Sequence, residues 1–309
     1  MILTVTLNPC IDKTIFVEEN RPGEFIKATN LQMITGGKGN NVARVLTNFG
    51  YDVLALTLVG GFEGKLAVKM LSDEGIKNVP IWIEERTREI ITVFETKSNR
   101  QTAYFEPSPH VDDDEKENLM EVYKELAKKS ELVVLSGSVP YENLDEIYFE
   151  MITHARKLDI KSILDSRDMA LKYGMKAAPY LVKPNVREAE FVLDRKISSH
   201  KDMLSSLDEF ESLGIEVIVM SLGEKGALIR NKGITYMAKP PEVETVNPVG
   251  SGDSMVAGIA MGIVDRLDLI ETIRLGMAAG AANASIWDAA CITKEQVSSH
   301  LGKTKVERI

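Results

Sequence analysis

Gly250-Ser251-Gly252-Asp253 puts a carboxylate directly behind a glycine-rich turn. In the apolar stretch that follows, Met255, Val256, Ile259, Ile263 and Val264 recur at the spacing of a buried helix face. Glycines let a backbone turn tightly and come close to a ligand. The turn therefore sits at a helix N-terminus, where unpaired amides and the positive end of the helix dipole favour an anion such as phosphate. Asp253 stands where it could take a proton. The same dipole predicts a depressed pKa for that carboxyl, so its value as a base rests on placement rather than basicity. Anion binding beside proton removal suits phosphoryl transfer to a hydroxyl. The alternative is structural, because Ser251 and Asp253 also have the side chains of helix caps.

A second cluster, Thr35-Gly-Gly-Lys-Gly-Asn-Asn-Val-Ala-Arg44, leads into Val45, Leu46 and Phe49 at helical spacing and is closed by Gly50. It is a second anion site by the same logic. Lys38 adds a cation beside the amides of the turn, and Asn40 and Asn41 add hydrogen-bonding groups to the first helical turn. Neither cluster is a familiar nucleotide fingerprint. Lys38 is followed by Gly39 rather than Ser or Thr, so it is not a Walker A loop, and Gly250-Ser-Gly-Asp-Ser-Met lacks the third glycine of a dinucleotide turn. Cys10 and Cys291 have no metal-type spacing, and the four histidines are scattered. Neither a zinc site nor a histidine-based triad is indicated.

The elements that must position these residues alternate. From about residue 110, helical stretches near 113–129, 143–157, 186–194 and 202–213 separate short apolar runs at 132–135, 162–164, 180–182 and 217–220, the pattern of a parallel sheet covered by helices. The runs end in Ser136-Gly-Ser138, Asp165-Ser-Arg167, Lys183-Pro-Asn185 and Ser221-Leu-Gly223. Polar and glycine residues thus gather at strand C-termini, the edge that holds the ligand in open α/β sheets. Two earlier segments break the pattern. Lys13–Val17 with Phe25–Ile34, and Glu89–Thr96 with Gln101–Phe105, read as antiparallel strands of a small sheet, a lid built from two excursions out of one core.

The 309 residues suit one large domain or a domain with an appendage. With 44% hydrophobic and 27% charged residues the composition is that of a globular protein, and no apolar run approaches the roughly 18 residues of a membrane span. A formal charge of −9 argues against nucleic acid or an anionic membrane as the main partner. The absence of a basic leader and the sparse cysteines lead to the expectation of a cytoplasmic location.

Six motifs in order, Asn8-Pro-Cys-Ile-Asp12, Gly36–Arg44, Ser136-Gly-Ser-Val-Pro140, Lys183-Pro-Asn-Val-Arg-Glu188, Ser221–Gly226 and Asn247–Ser254, together resemble the ribokinase-like PfkB sugar kinases. Within that family the chain is most similar to the branch of 1-phosphofructokinases and tagatose-6-phosphate kinases. The resemblance runs from Thr4 to about Trp287. It implies an α/β fold with a three-layer core, a mainly parallel sheet flanked by helices, and a small β-sheet lid. Residues 1–11, 37–86 and 107–309 would form the core, and 12–36 and 87–106 the lid.

By the same resemblance Asp253 is the catalytic base, and Gly250, Ser251 and Gly252 form the anion hole for the transferring phosphoryl group. Asp12, Gly37, Lys38, Asn41, Arg88 and Ser138 match acceptor-binding positions. Lys183, Asn185, Ser221 and Gly223 match positions around ATP, with Asn283 on the adenine side and the base bordered by the hairpin 227–237 and the helix 268–286. Asn185 and Glu188 are expected to handle Mg2+ through water or phosphate, with a helix cap as their alternative role. The implied reaction is ATP-dependent phosphorylation of a ketohexose monophosphate, with fructose 1-phosphate first and tagatose 6-phosphate and fructose 6-phosphate as alternatives. A nicotinamide-dependent dehydrogenase is disfavoured by the missing fingerprint, and a non-catalytic sugar-phosphate sensor by the intact Asp253 turn. A homodimer packed through the lids is also implied.

Overall fold

The computed structural model describes all of residues 1–309. The chain begins with β1 (Ile2–Thr6), β2 (Cys10–Val17), β3 (Asn30–Gly36), α1 (Lys38–Asn48), β4 (Val53–Gly60) and α2 (Gly61–Asp73). Next come β5 (Asn78–Ile83), β6 (Arg88–Glu95), β7 (Arg100–Phe105) and α3 (Asp113–Ala127). Strands and helices then alternate through β8 (Leu132–Ser136), α4 (Ile147–Lys157), β9 (Lys161–Asp165), α5 (Asp168–Lys176) and β10 (Leu181–Val182). Two helices, α6 (Val186–Leu193) and α7 (His200–Ser212), precede β11 (Val217–Ser221) and the hairpin β12 (Ala227–Asn231) and β13 (Ile234–Lys239). The chain closes with α8 (Ser251–Val264), α9 (Leu269–Ala284), α10 (Lys294–Leu301) and β14 (Lys305–Arg308).

Ten strands form one sheet in the order β14-β13-β12-β11-β10-β9-β8-β1-β4-β5, parallel from β5 to β11 and antiparallel beyond. Its central strands are apolar on both faces because helices cover both. Leu3 and Val5 of β1 and Val133 and Leu135 of β8 pack toward α3, α4, α5 and α7. Ile2, Leu132 and Val134 alternate with them and pack toward α1, α8, α9 and α10. Three layers result. Since the parallel strands point one way, Asn8, Gly60, Ser136, Asp165, Lys183 and Ser221 emerge at or just beyond the same edge.

Close packing sets α8 deep in its layer. A Cβ on Gly258 would lie 2.7 Å from the Gly276 Cα of α9, so the two helices cross with almost no side-chain spacer. The start of α8 is thereby held at the ligand edge.

The second sheet has the order β3-β2-β6-β7, with β2 and β6 parallel and both outer pairs antiparallel. The antiparallel pairs follow the sequence pattern. The strand expected over Phe25–Ile34 is shorter, however, beginning only at Asn30. Pro22-Gly23-Glu24 bends the chain there, with Gly23 at φ 85°, and Phe25 is left in solvent. One face of this sheet docks on the core. Phe16 and Phe94 pack on Trp287 with centroid distances of 5.5 and 4.6 Å, and Trp287 Nε1 donates to Gln32 Oε1 at 3.1 Å. The opposite face carries Ile15, Leu31, Met33, Ile91, Val93 and Tyr104, of which Leu31, Met33 and Tyr104 are exposed. No helix is long and apolar enough to cross a membrane.

Candidate active site

Both glycine turns become helix N-caps. Gly37 precedes α1 with φ 112° and Gly250 precedes α8 with φ 82°, and neither helix has a side-chain cap. By contrast α3, α6, α7 and α10 all carry reciprocal capping boxes. The capping role open to Ser251 and Asp253 is therefore not the one they play. The amides of Gly252 and Asp253, and those of Lys38, Gly39 and Asn40, donate to no acceptor in the protein. They are free for an anion.

The two helix starts touch through side chains. Asn41 Nδ2 donates to Asp253 Oδ2 at 2.7 Å, joining α1 to α8. Lys38 Nζ and Lys183 Nζ reach the same oxygen of Asp165, at 3.2 and 3.1 Å. The Gly137 turn packs beside the start of α1, where an added Cβ would stand 3.7 Å from Lys38 Cβ. On Gly252 an added Cβ would stand 3.6 Å from Lys183 Nζ, so a cation faces the α8 turn.

Burial sets the electrostatics. Asp253 is buried, and desolvation pushes its pKa up. Lys38, Lys183 and the Asn41 hydrogen bond oppose that rise, while the nearby charge of Asp165 adds to it, and the net shift is upward. The shift is thus opposite in direction to the depression expected at a helix N-terminus, with desolvation as its largest cause. Asp165 is shifted the other way. Burial raises its pKa, but two lysines more than cancel that and hold it below the usual carboxylate range. Burial also disfavours the charge on Lys38, yet Asp165, Asp253 and Glu188 outweigh it and keep this lysine cationic.

Arg88 and Ser138 meet at Asn8. Arg88 Nη2 donates to the Asn8 carbonyl at 3.3 Å, and Asn8 Nδ2 donates to Ser138 Oγ at 3.2 Å. Arg88 Nε, Asn8 Oδ1 and Asp12 Oδ1 are buried without partners, which suits a polar ligand with several hydrogen-bonding groups. Burial raises the Asp12 pKa and lowers that of Arg88. Asp12 also lines a cavity of about 430 Å³ between lid and core, which Lys38 and Asp253 do not line. Cys10, beneath Arg88, is no nucleophile, since burial pushes its thiol up to about 12.

On the other side of Asp165 lie Lys183, Asn185, Ser221 and Gly223. Asn185 and Ser221 bridge the ends of β10 and β11, and Gly223 follows at φ 64° with open space around it. Asn185 and Glu188 form a capping box on α6, so the Asn185 side-chain oxygen is engaged by the helix. Burial raises the Glu188 pKa, opposed by Lys38. No group of three or more metal-type side chains is present. The oxygen available to a cation is Asp165 Oδ2, buried and without a partner.

Two residues take a different place from the one the sequence assigned. Asn283 is fully buried. Its nitrogen donates to the Val249 carbonyl at 2.7 Å and to Ser251 Oγ at 3.1 Å, and its oxygen accepts from Ala290 N at 2.6 Å. It fastens the Gly250 turn from behind and has no face left for adenine. Asn40 is likewise spent inside, accepting from Thr6 and Thr57 and donating to the Gly36 carbonyl. Asp165 is the residue that sequence reasoning missed. Its signal was present, as the only acidic residue ending a central strand at the ligand edge.

An open α/β sheet whose ligand edge holds two uncapped helix N-termini, a buried carboxylate and two lysines defines a phosphoryl-transfer fold and site. Residues 5–287 match the pfkB family carbohydrate kinase model, and the chain belongs to that family. It is 34% identical to a 1-phosphofructokinase of Borreliella burgdorferi over 92% of both chains. It is 31% identical to a tagatose-6-phosphate kinase of Staphylococcus epidermidis over 100% of this chain and 97% of that one. Among solved structures it is similar to phosphofructokinase-2 from Escherichia coli in complex with potassium, with a TM-score of 0.91, 28% identity and 98% of each chain covered. A possible 1-phosphofructokinase from Thermotoga maritima gives a TM-score of 0.90 at 26% identity, covering 100% of this chain and 99% of that one.

The Asp165 cluster has a stability signature. Its lowered pKa contributes stability that is present above the unfolded pKa and lost as the pH falls through the folded value, whereas the raised pKa of Asp253 acts with the opposite sign. Asp165→Asn leaves two lysines without their shared anion and is expected to cost about 3–5 kcal/mol at neutral pH. Urea unfolding followed from about pH 6 to about pH 3 should show a shallower acid loss for the variant than for the parent. An unchanged slope would contradict the lowered Asp165 pKa.

Proposed function

We propose that this chain is an ATP-dependent sugar-phosphate kinase that converts a ketohexose monophosphate to a bisphosphate, with fructose 1-phosphate as the first candidate acceptor. The observation that carries the reading is Asp253, a buried carboxylate with a raised pKa, held by Asn41 between two helix starts with free amides. The acceptor hydroxyl gives its proton to Asp253 as its oxygen bonds to the terminal phosphorus of ATP. The bond from that phosphorus to the bridging oxygen breaks, and ADP leaves with the electron pair. The free amides at Gly252 and Asp253 and the Lys183 ammonium neutralise the charge on the transferring group.

Lys38 and Arg88, beside Asp12 and Ser138 for the sugar hydroxyls, support an acceptor that already carries phosphate, since a chain of charge −9 needs local cations to attract one. Relatives named for fructose 1-phosphate and tagatose 6-phosphate chemistry support the ketohexose class. The donor side fits a hard cation. Asp165 Oδ2 would hold Mg2+, with phosphate and water filling the remaining positions and Glu188 acting through water. Bound there, Mg2+ supplies charge neutralisation on the ATP phosphates. The apolar outer face of the lid sheet, with Leu31, Met33 and Tyr104, fits a second copy of the chain.

ADP release measured with fructose 1-phosphate, tagatose 6-phosphate and fructose 6-phosphate tests the activity, and no turnover with any of them rejects it. In Asp253→Asn, turnover should fall by about three orders of magnitude or more while ATP binding persists. Near-parental turnover would remove Asp253 as the base. Arg88→Ala should raise KM for the sugar phosphate at least about tenfold and leave KM for ATP nearly unchanged, through loss of charge-assisted hydrogen bonds. Equal effects on both constants count against its place at the acceptor phosphate. Sedimentation should give a dimer that Leu31→Lys disrupts; a parent that is monomeric throughout overturns the lid interface.

A further inference from the structure

Behind Asn41 stands Arg44, one turn further along α1 and 4% exposed. Its Nη1 donates to Asn41 Oδ1 at 2.8 Å. Its Nη2 donates to the Thr35 carbonyl at 2.9 Å and to Glu74 Oε1 at 3.1 Å, and its Nε donates to the other oxygen of Glu74. Glu74 follows α2 directly and is partly exposed. A continuous chain of hydrogen bonds thus runs from Glu74 through Arg44 and Asn41 to Asp253.

The donors and acceptors in this chain permit one arrangement. A guanidinium only donates, and an ionised carboxylate only accepts. The amide between them satisfies both by turning its oxygen to Arg44 and its nitrogen to Asp253. Protonated Asp253 needs an acceptor for its own O–H. With the amide held this way its NH2 faces Asp253, and a donor on Oδ2 favours the ionised carboxylate over the acid, whose proton would have to sit on Oδ1. We propose that Arg44 is a positioning residue that locks the Asn41 amide and thereby keeps Asp253 in the proton-accepting form. It acts through Asn41. The proposal rests on the reading of Asp253 as the base.

The other charged groups around this chain are fixed. Asp253 also faces Lys38 of α1, Asp165 at the end of β9 and Lys183 after β10. Arg44 and Glu74 share the wall of the lid cavity with Asp12 of β2 and with Asp288 and Cys291, which follow α9. Burial favours the protonated form of Asp253, and the Asn41 hydrogen bond is one of the influences, with the charges of Lys38 and Lys183, that oppose it.

The test follows the carboxyl itself. Protein labelled with ¹³C at the aspartate carboxyls is titrated by NMR, with the Asp253 signal assigned by its loss in Asp253→Asn. Arg44→Met retains volume and removes every donor, and its Asp253 pKa should rise by about one unit or more, a tenfold shift in the protonation equilibrium. Glu74→Ala leaves Arg44 held only by Thr35 and Asn41 and should raise that pKa by a smaller amount. If Arg44→Met does not fold, Glu74→Ala decides alone. An Asp253 pKa equal to the parental value in the folded variants overturns the proposal, and so does a fall in Glu74→Ala, because loss of the Glu74 charge by itself would lower that pKa whereas loss of the lock raises it. The acid limb of kcat/KM should shift with the carboxyl. A carboxyl that moves while the acid limb stays leaves the relay standing and removes Asp253 as the base.

Discussion

The hydrogen bond from Asn41 to Asp253 joins the starts of α1 and α8, two helices that approach the ligand edge from separate parts of the chain. Each helix brings free amides and the positive end of its dipole, and each is preceded by a glycine with positive φ that leaves the anion side clear of a side chain. The bond fixes the distance between the two glycine turns. Much of the surrounding fold serves that distance. The glycine-lined crossing of α8 and α9 sets one helix start, Asn283 braces the Gly250 loop, and Asn40 ties α1 to β1 and β4.

Charge organisation follows from the same constraint. Two carboxylates, Asp165 and Asp253, are buried near each other, and the protein separates their properties by partner. Asp165 takes two lysines, which hold its pKa down, while Asp253 takes an amide and its pKa is pushed up by burial. Pushing the pKa values of neighbouring acids apart in this way is a general means of assigning them different roles. The lysines are shared as well. Each neutralises Asp165 while facing a turn, so the cations needed for phosphate are already held in place before any ligand arrives. At a net charge of −9, such placement matters more than overall charge.

How much of this was legible in the sequence depends on how local each signal is. The turns at Gly37 and Gly250, the alternation of strand and helix, and the split origin of the lid sheet are all written within a dozen residues, and the fold reproduces them. The Asp253 pKa was not legible, because its sign depends on burial and on Asp165, 88 positions earlier in the numbering. The Lys38–Asp165 and Asn41–Asp253 contacts span 127 and 212 residues, distances over which spacing carries no information. Asn283 shows the same limit. An asparagine on a late helix near the ligand edge looks available to a nucleotide until the packing of α9 turns it inward.

The central claim is that one carboxylate, held between two anion-binding helix starts, receives the acceptor proton. Its most direct test is a crystal structure of the chain with a non-hydrolysable ATP analogue and fructose 1-phosphate. The account expects the reacting hydroxyl about 2.6–3.2 Å from an Asp253 oxygen, the terminal phosphate on the Gly252 and Asp253 amides, and the sugar phosphate on Arg88. A ternary complex with the acceptor hydroxyl remote from Asp253, or with the terminal phosphate away from the α8 turn, would contradict it.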